Sequence, residues 1–120
     1  MTEMVDVNGF DELNEFIQKN TDKAILLYFG ATWCGPCGKL KKDFANPEFM
    51  KNFPNMVIAH IDIDEDNEIP QKYGVQSLPT QIFIGLKKTE TEENVEYDIV
   101  ELGRVTGYDP KKLYSEYLKI

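Results

Sequence analysis

Hydrophobic positions recur along the chain in two rhythms, and the changes of rhythm mark its elements. Leu13, Phe16 and Ile17 stand at helical spacing within Asp11–Lys19, introduced by Gly9 and Asp11, which predicts a helix of about ten residues. Ala24-Ile25-Leu26-Leu27-Tyr28-Phe29 is a short continuous apolar run, the pattern of a strand buried on both faces. From Cys34, the spacing of Leu40, Phe44 and Phe49 predicts a helix onward to about Lys51. Met56–Ile63 repeats the buried-strand pattern and ends in acidic turn residues, and Asp66–Tyr73 is a short helix stopped by Gly74. Thr80–Leu86 predicts a third strand, and a fourth lies within Tyr97–Val105. Asp109 and Pro110 then form an N-cap and a first helical residue ahead of the stripe Leu113, Tyr117, Leu118. The pattern leaves room for one more short strand at Val5–Val7.

Strands that alternate with helices run parallel, joined by right-handed crossovers, whereas the last two, with no helix between them, form an antiparallel hairpin. The expected fold is α/β. A central mixed sheet of four to five strands lies between about four helices, in three layers, with an extended hairpin between the last two strands. At 120 residues the chain is a single domain, 1–120, because a domain takes roughly 100–200 residues. An apolar share of 42%, with seven Phe and six Tyr, is enough for a packed core.

Charge narrows the partners. With 21 acidic and 13 basic residues the net charge is −8, opposite to the basic surface that binds a phosphate backbone, so no nucleic acid is expected. The longest apolar run falls far short of the roughly 18 residues of a membrane span. The start Met1-Thr2-Glu3-Met4-Val5-Asp6 has no basic segment followed by an apolar one, so it is not expected to be a secretory signal.

Cys34 and Cys37 are the only cysteines. Two thiols with the lone His60 make three ligands where structural zinc takes four, and no metal is expected. A bridge across two residues restrains the unfolded chain little, so a bond between them is one to be made and broken. The segment Trp33-Cys34-Gly35-Pro36-Cys37 follows a buried strand and opens a helix. Unpaired N–H groups and the positive end of the helix dipole favour a thiolate there. Cys34, at the mouth, is the expected nucleophile. Cys37, one turn on and more buried, is the expected resolving thiol. Gly35 permits the tight entry, and Pro36 fits the first turn, where its missing N–H is not needed.

W-C-G-P-C in this setting resembles the active site of the thioredoxin family. The resemblance runs over roughly residues 5 to 119. It takes in Ala24–Thr32 as the central strand, Val57–Asp64 as its neighbour, Gln71-Lys72-Tyr73-Gly74-Val75 as a helix end, Ser77-Leu78-Pro79-Thr80 as the cis-proline loop and Val105-Thr106-Gly107 as the loop opposite. It implies a protein-disulfide reductase working through a Cys34/Cys37 dithiol–disulfide cycle without a cofactor. It implies a cis bond before Pro79 facing the sulfurs, Leu78 pairing its main chain with an extended substrate, and Gly107 leaving room for that substrate. Trp33, Leu78 and Tyr108 would offer apolar docking surface. Partners would be disulfide-containing proteins and an electron donor similar to thioredoxin reductase, for a monomer in the cytoplasm. Two other readings stand beside it: a thioredoxin-fold adaptor with little general reductase activity, and a disulfide oxidase or isomerase.

Four positions depart from the family pattern. Tyr28 stands where a buried aspartate commonly serves the second cysteine. A Tyr28–His60 pair, or a water it holds, is one expected proton relay to Cys37, and a core histidine with a single hydrogen bond is the other reading of His60. Gly30 replaces an aromatic residue, which is expected to open a gap near Trp33. Lys42 replaces a helix-kinking proline, so a straighter helix is expected, with Gly38 weakening it locally. Finally, an insertion over about residues 86–101 lengthens the last hairpin into a charged arm or an acidic loop.

Overall fold

The computed structural model describes residues 3–120; of the expected 1–120 domain, Met1 and Thr2 lie outside the described residues. In chain order the elements are β1 (Glu3–Asp6), α1 (Phe10–Lys19), β2 (Ala24–Gly30), α2 (Gly35–Phe44), α3 (Pro47–Met50), β3 (Met56–Asp62), α4 (Glu68–Lys72), β4 (Thr80–Glu90), β5 (Val95–Thr106) and α5 (Pro110–Tyr117). The strands form one mixed sheet in the order β1-β3-β2-β4-β5. β3 runs parallel to both β1 and β2, β4 antiparallel to β2, and β5 antiparallel to β4. This is the thioredoxin fold.

The period-two pleat divides the core between the two faces of the sheet. Ile25, Leu27 and Phe29 of β2 pack with Leu13, Phe16 and Ile17 of α1 and Ile69 of α4. Leu26 and Tyr28 point the other way, to Leu40 and Phe44 of α2, Met50 of α3 and Leu113 of α5. The unbroken apolar run of β2 follows from this burial on both sides.

Two expected elements are redrawn. The helix predicted from Cys34 to about Lys51 is two helices. Residue 46 precedes a proline and takes an extended conformation (φ −92°, ψ 114°), as sterics before proline require. Asn46 then caps the new helix by accepting the Glu48 N–H at 3.0 Å, with Pro47 in its first turn. The final hairpin is an ordered arm: β4 and β5 stay paired out to Glu90 and Val95, and Thr91 and Asn94 close the turn by bonds between N–H and carbonyl (2.8 Å) and N–H and hydroxyl (3.1 Å). Every residue from Leu86 to Asp98 is exposed. The arm points away from the active-site loops, since Thr80 borders Pro79 and Glu90 lies ten residues on, about 33 Å at strand rise.

Candidate active site

Three loops meet at the end of the sheet where β2 and β3 finish and β4 begins. The Ile63 N–H donates to the Gly30 carbonyl at 3.0 Å and ties the ends of β2 and β3 together. Beyond β2 the chain turns through an N–H of Cys34 on the Ala31 carbonyl (3.2 Å) and enters α2 with Cys34 as the N-cap. The Cys34 sulfur accepts the Cys37 N–H at 3.2 Å, the place a capping oxygen usually takes. Cys34 and Cys37 are joined as a disulfide with Cα atoms 5.3 Å apart. Cys34 is half-buried, and Cys37 is 2% exposed. A partner can therefore reach the first sulfur and not the second.

A cleft of about 570 Å³ opens beside the bridge, lined among others by Trp33, Cys34, Pro36, Ile63, Val75 and Leu78. Trp33 is 67% exposed, and its indole N–H donates to Asp64 Oδ2 at 2.8 Å. Asp64 is itself placed by an Asp62 side chain that accepts the Asp64 N–H at 2.9 Å. The bond between Leu78 and Pro79 is cis. The Pro79 carbonyl accepts the Gly107 N–H at 2.7 Å, and Gly107 has φ +88°, which is where glycine is favoured. A side chain built on Gly107 would meet open space within 4 Å, so the front of this loop is unfilled. Tyr108 reaches sideways, its hydroxyl donating to Asp43 of α2 at 2.5 Å.

Beneath the bridge, Tyr28 is 1% exposed and donates its hydroxyl to the Cys37 carbonyl at 2.7 Å. Burial pushes this phenol up to about 12, so at neutral pH it is a donor and not a base. His60 does lie against Tyr28, with ring centroids 4.9 Å apart and planes tilted by 31°. The contact is between ring faces. The His60 Nδ1 bonds to Asp6 Oδ1 at 2.8 Å, and no hydrogen bond joins His60 to Tyr28 among the described residues. The gap expected from Gly30 is filled from below: a Cβ there would lie 3.2 Å from the Tyr28 hydroxyl oxygen and 3.3 Å from Cζ. Tyr28 and Gly30 are thus a matched pair, the ring of one lying over the missing side chain of the other. Lys42 lies inside an uninterrupted α2.

Three residues at or near the site went unremarked in the sequence. Asp64 belongs to the acidic turn residues that end the second predicted strand, and Asp43 lies within the predicted helix that begins at Cys34. Gln81 is the informative one, a polar residue inside the apolar strand Thr80–Leu86. It is wholly buried, and its Nε2 donates to the Gly107 carbonyl at 3.2 Å.

Comparison with known proteins agrees with this geometry. The family model described as Thioredoxin matches residues 4–101. A thioredoxin H-type of Oryza sativa subsp. indica is 41% identical over 66 residues, 55% of this chain and 52% of that protein, so the match spans about half of that relative. Thioredoxin H-type 2 of Nicotiana tabacum is 30% identical over 105 residues, 78% of this chain and 87% of the relative. Among solved structures, the germline-specific thioredoxin Deadhead of Drosophila melanogaster superposes with a TM-score of 0.73 at 27% identity, covering 98% of this chain and 99% of that one.

Proposed function

The chain belongs to the thioredoxin family and is a thiol–disulfide oxidoreductase, and from that premise we propose that it works as a reductant of protein disulfides in a reducing, cytoplasmic setting. Cys34 in its thiolate form attacks a substrate sulfur, and Cys37 then attacks Cys34 in the mixed disulfide, releasing the reduced substrate and closing the bridge. A dithiol donor similar to thioredoxin reductase restores the pair.

The observation that carries this reading is the asymmetry of the two sulfurs. Cys34 caps a helix at the edge of a cleft, where unpaired N–H groups stabilise an anion; Cys37 is closed off beneath it. An extended substrate segment lies along Leu78, and Pro79, which carries no backbone N–H, offers nothing to compete for the sulfurs. Gly107 frames the opposite side, and Trp33, held by Asp64, walls the cleft. Gly35 and Pro36 shape the turn between the thiols. The monomer works without a bound cofactor. Tyr28 acts as a hydrogen-bond donor that fixes the first turn of α2, and His60 supports its ring. An adaptor role without catalysis is not favoured, because both cysteines stand in a bridge beside an open cleft.

The test is dithiothreitol-driven reduction of insulin. Acceleration by the wild-type chain that disappears in Cys34→Ser is the expected outcome. Equal rates for the two would remove the dithiol from the function.

A further inference from the structure

Five side chains share one register row across the sheet, on the face that α2 covers: Asp6, His60, Tyr28, Gln81 and Val105. Asp6 bonds to His60, and Tyr28 bonds to the Cys37 carbonyl. Gln81 is 0% exposed. Its Nε2 is placed on the Gly107 carbonyl, yet its Oε1 has no partner, and it is the buried side-chain polar atom that lacks one among the described residues. Buried polar groups are almost always paired, and one that is not signals a partner absent from this state.

The state described is the disulfide. Two donors in the layer between sheet and helix are already committed: the Tyr28 hydroxyl to the Cys37 carbonyl, and the Cys37 N–H to the Cys34 sulfur. Gln81 is the direct cross-strand neighbour of Tyr28, whose hydroxyl touches Cys37, and its amide reaches towards the loop that bonds to Pro79. Reduction adds one new donor to this layer, the S–H of the buried Cys37.

We propose that Gln81 is a redox-coupled positioning residue, its side-chain carbonyl accepting the hydrogen bond of the Cys37 thiol in the dithiol form and lacking a partner in the disulfide form. The proposal rests on the dithiol cycle above. In that cycle the thiolate of an external dithiol attacks Cys34, the Cys34–Cys37 bond breaks, and the released Cys37 thiolate takes a proton from water. The donor's second thiol then closes the donor's own disulfide and frees Cys34, so two electrons have passed to the pair. Gln81 favours the product of this step and makes the pair easier to reduce.

The full chain is equilibrated with reduced and oxidised dithiothreitol, and its disulfide fraction is read by mass after alkylation. In Gln81→Leu the equilibrium is expected to move towards the disulfide by about tenfold, the effect of one buried hydrogen bond gained or lost. Gln81→Met, unbranched and close to glutamine in length, keeps the test alive should the leucine variant fail to fold. The direct readout is the S–H stretching band of Cys37 in a Cys34→Ser background. A hydrogen-bonded thiol absorbs at lower frequency, so adding Gln81→Leu or Gln81→Met is expected to raise it. An equilibrium unchanged within twofold, or a band that does not move, overturns the proposal and leaves the cycle standing. A wild-type chain that never exchanges with dithiothreitol overturns the cycle instead, and the infrared arm then still decides the role of Gln81.

Discussion

Replacing Tyr28 by phenylalanine separates two roles that a buried hydroxyl under a thiol pair could play. The substitution keeps the ring, and with it the contacts to His60 and, edge-on, to Phe44 at 5.4 Å. It removes only the donor on the Cys37 carbonyl. That carbonyl lies inside α2 and is also within the reach of a helical N–H four residues on, so the loss is expected near 1 kcal/mol, the low end for a buried hydrogen bond. For a chain of this size that corresponds to a melting temperature lower by about 3–5 °C. The alkaline range carries a second signature. In the folded chain the phenol titrates at about 12 instead of the usual 10. Between those values the folded state holds a proton that the unfolded state has released. The contribution is therefore whole below pH 10 and is lost as pH rises through 12, by about 2–3 kcal/mol in total. Urea unfolding of the oxidised chain from pH 7 to pH 12 should show Tyr28→Phe weaker at neutral pH and flatter above pH 10. Insulin reduction from pH 6 to pH 9 should keep the shape of its profile. A variant that loses a limb of that profile would show that the phenol takes part in proton transfer and would refute its assignment as a donor only.

Three further outcomes follow from the same geometry. Gly30→Ala should cost about 1–2 kcal/mol by crowding the Tyr28 ring, and nothing in a Tyr28→Val background; additive effects in that double-mutant cycle would mean the two residues are not a matched pair. His60→Ala should lower stability by about 1–2 kcal/mol through the lost ring contact yet leave the rate of mixed-disulfide resolution unchanged across pH 6–8 in stopped flow. A lost limb there would return His60 to a proton relay. Joining Lys87 to Asp98, which face each other across the hairpin, by Asn-Gly in place of residues 88–97 should give a tight turn and change stability by less than about 1 kcal/mol, since exposed residues away from the core contribute little. Loss of cooperative unfolding would show that the arm belongs to the core.

Much of this molecule is written locally. The helix of α1, the buried run of β2, the Asp109–Pro110 start of α5 and a dithiol at a strand-to-helix junction each rest on signals within a few residues, which is how far backbone sterics and capping reach. One local signal splits a predicted helix, Asn46-Pro47, and another, the alternation Val95-Glu96-Tyr97-Asp98-Ile99, decides between the two readings of the insertion in favour of the arm. What tertiary structure decided is which distant residues share a face and a layer. Tyr28 fills the space over Gly30 because strand neighbours two apart lie on one side of the pleat, and only the packing of α2 turns that side inward. Trp33 finds Asp64, thirty-one residues away, because β2 and β3 end together. Gln81 is buried beside Tyr28 because β4 lies next to β2 in a register that sets the two against each other. Register across a sheet depends on how whole faces bury, and no stretch of a few residues carries that information.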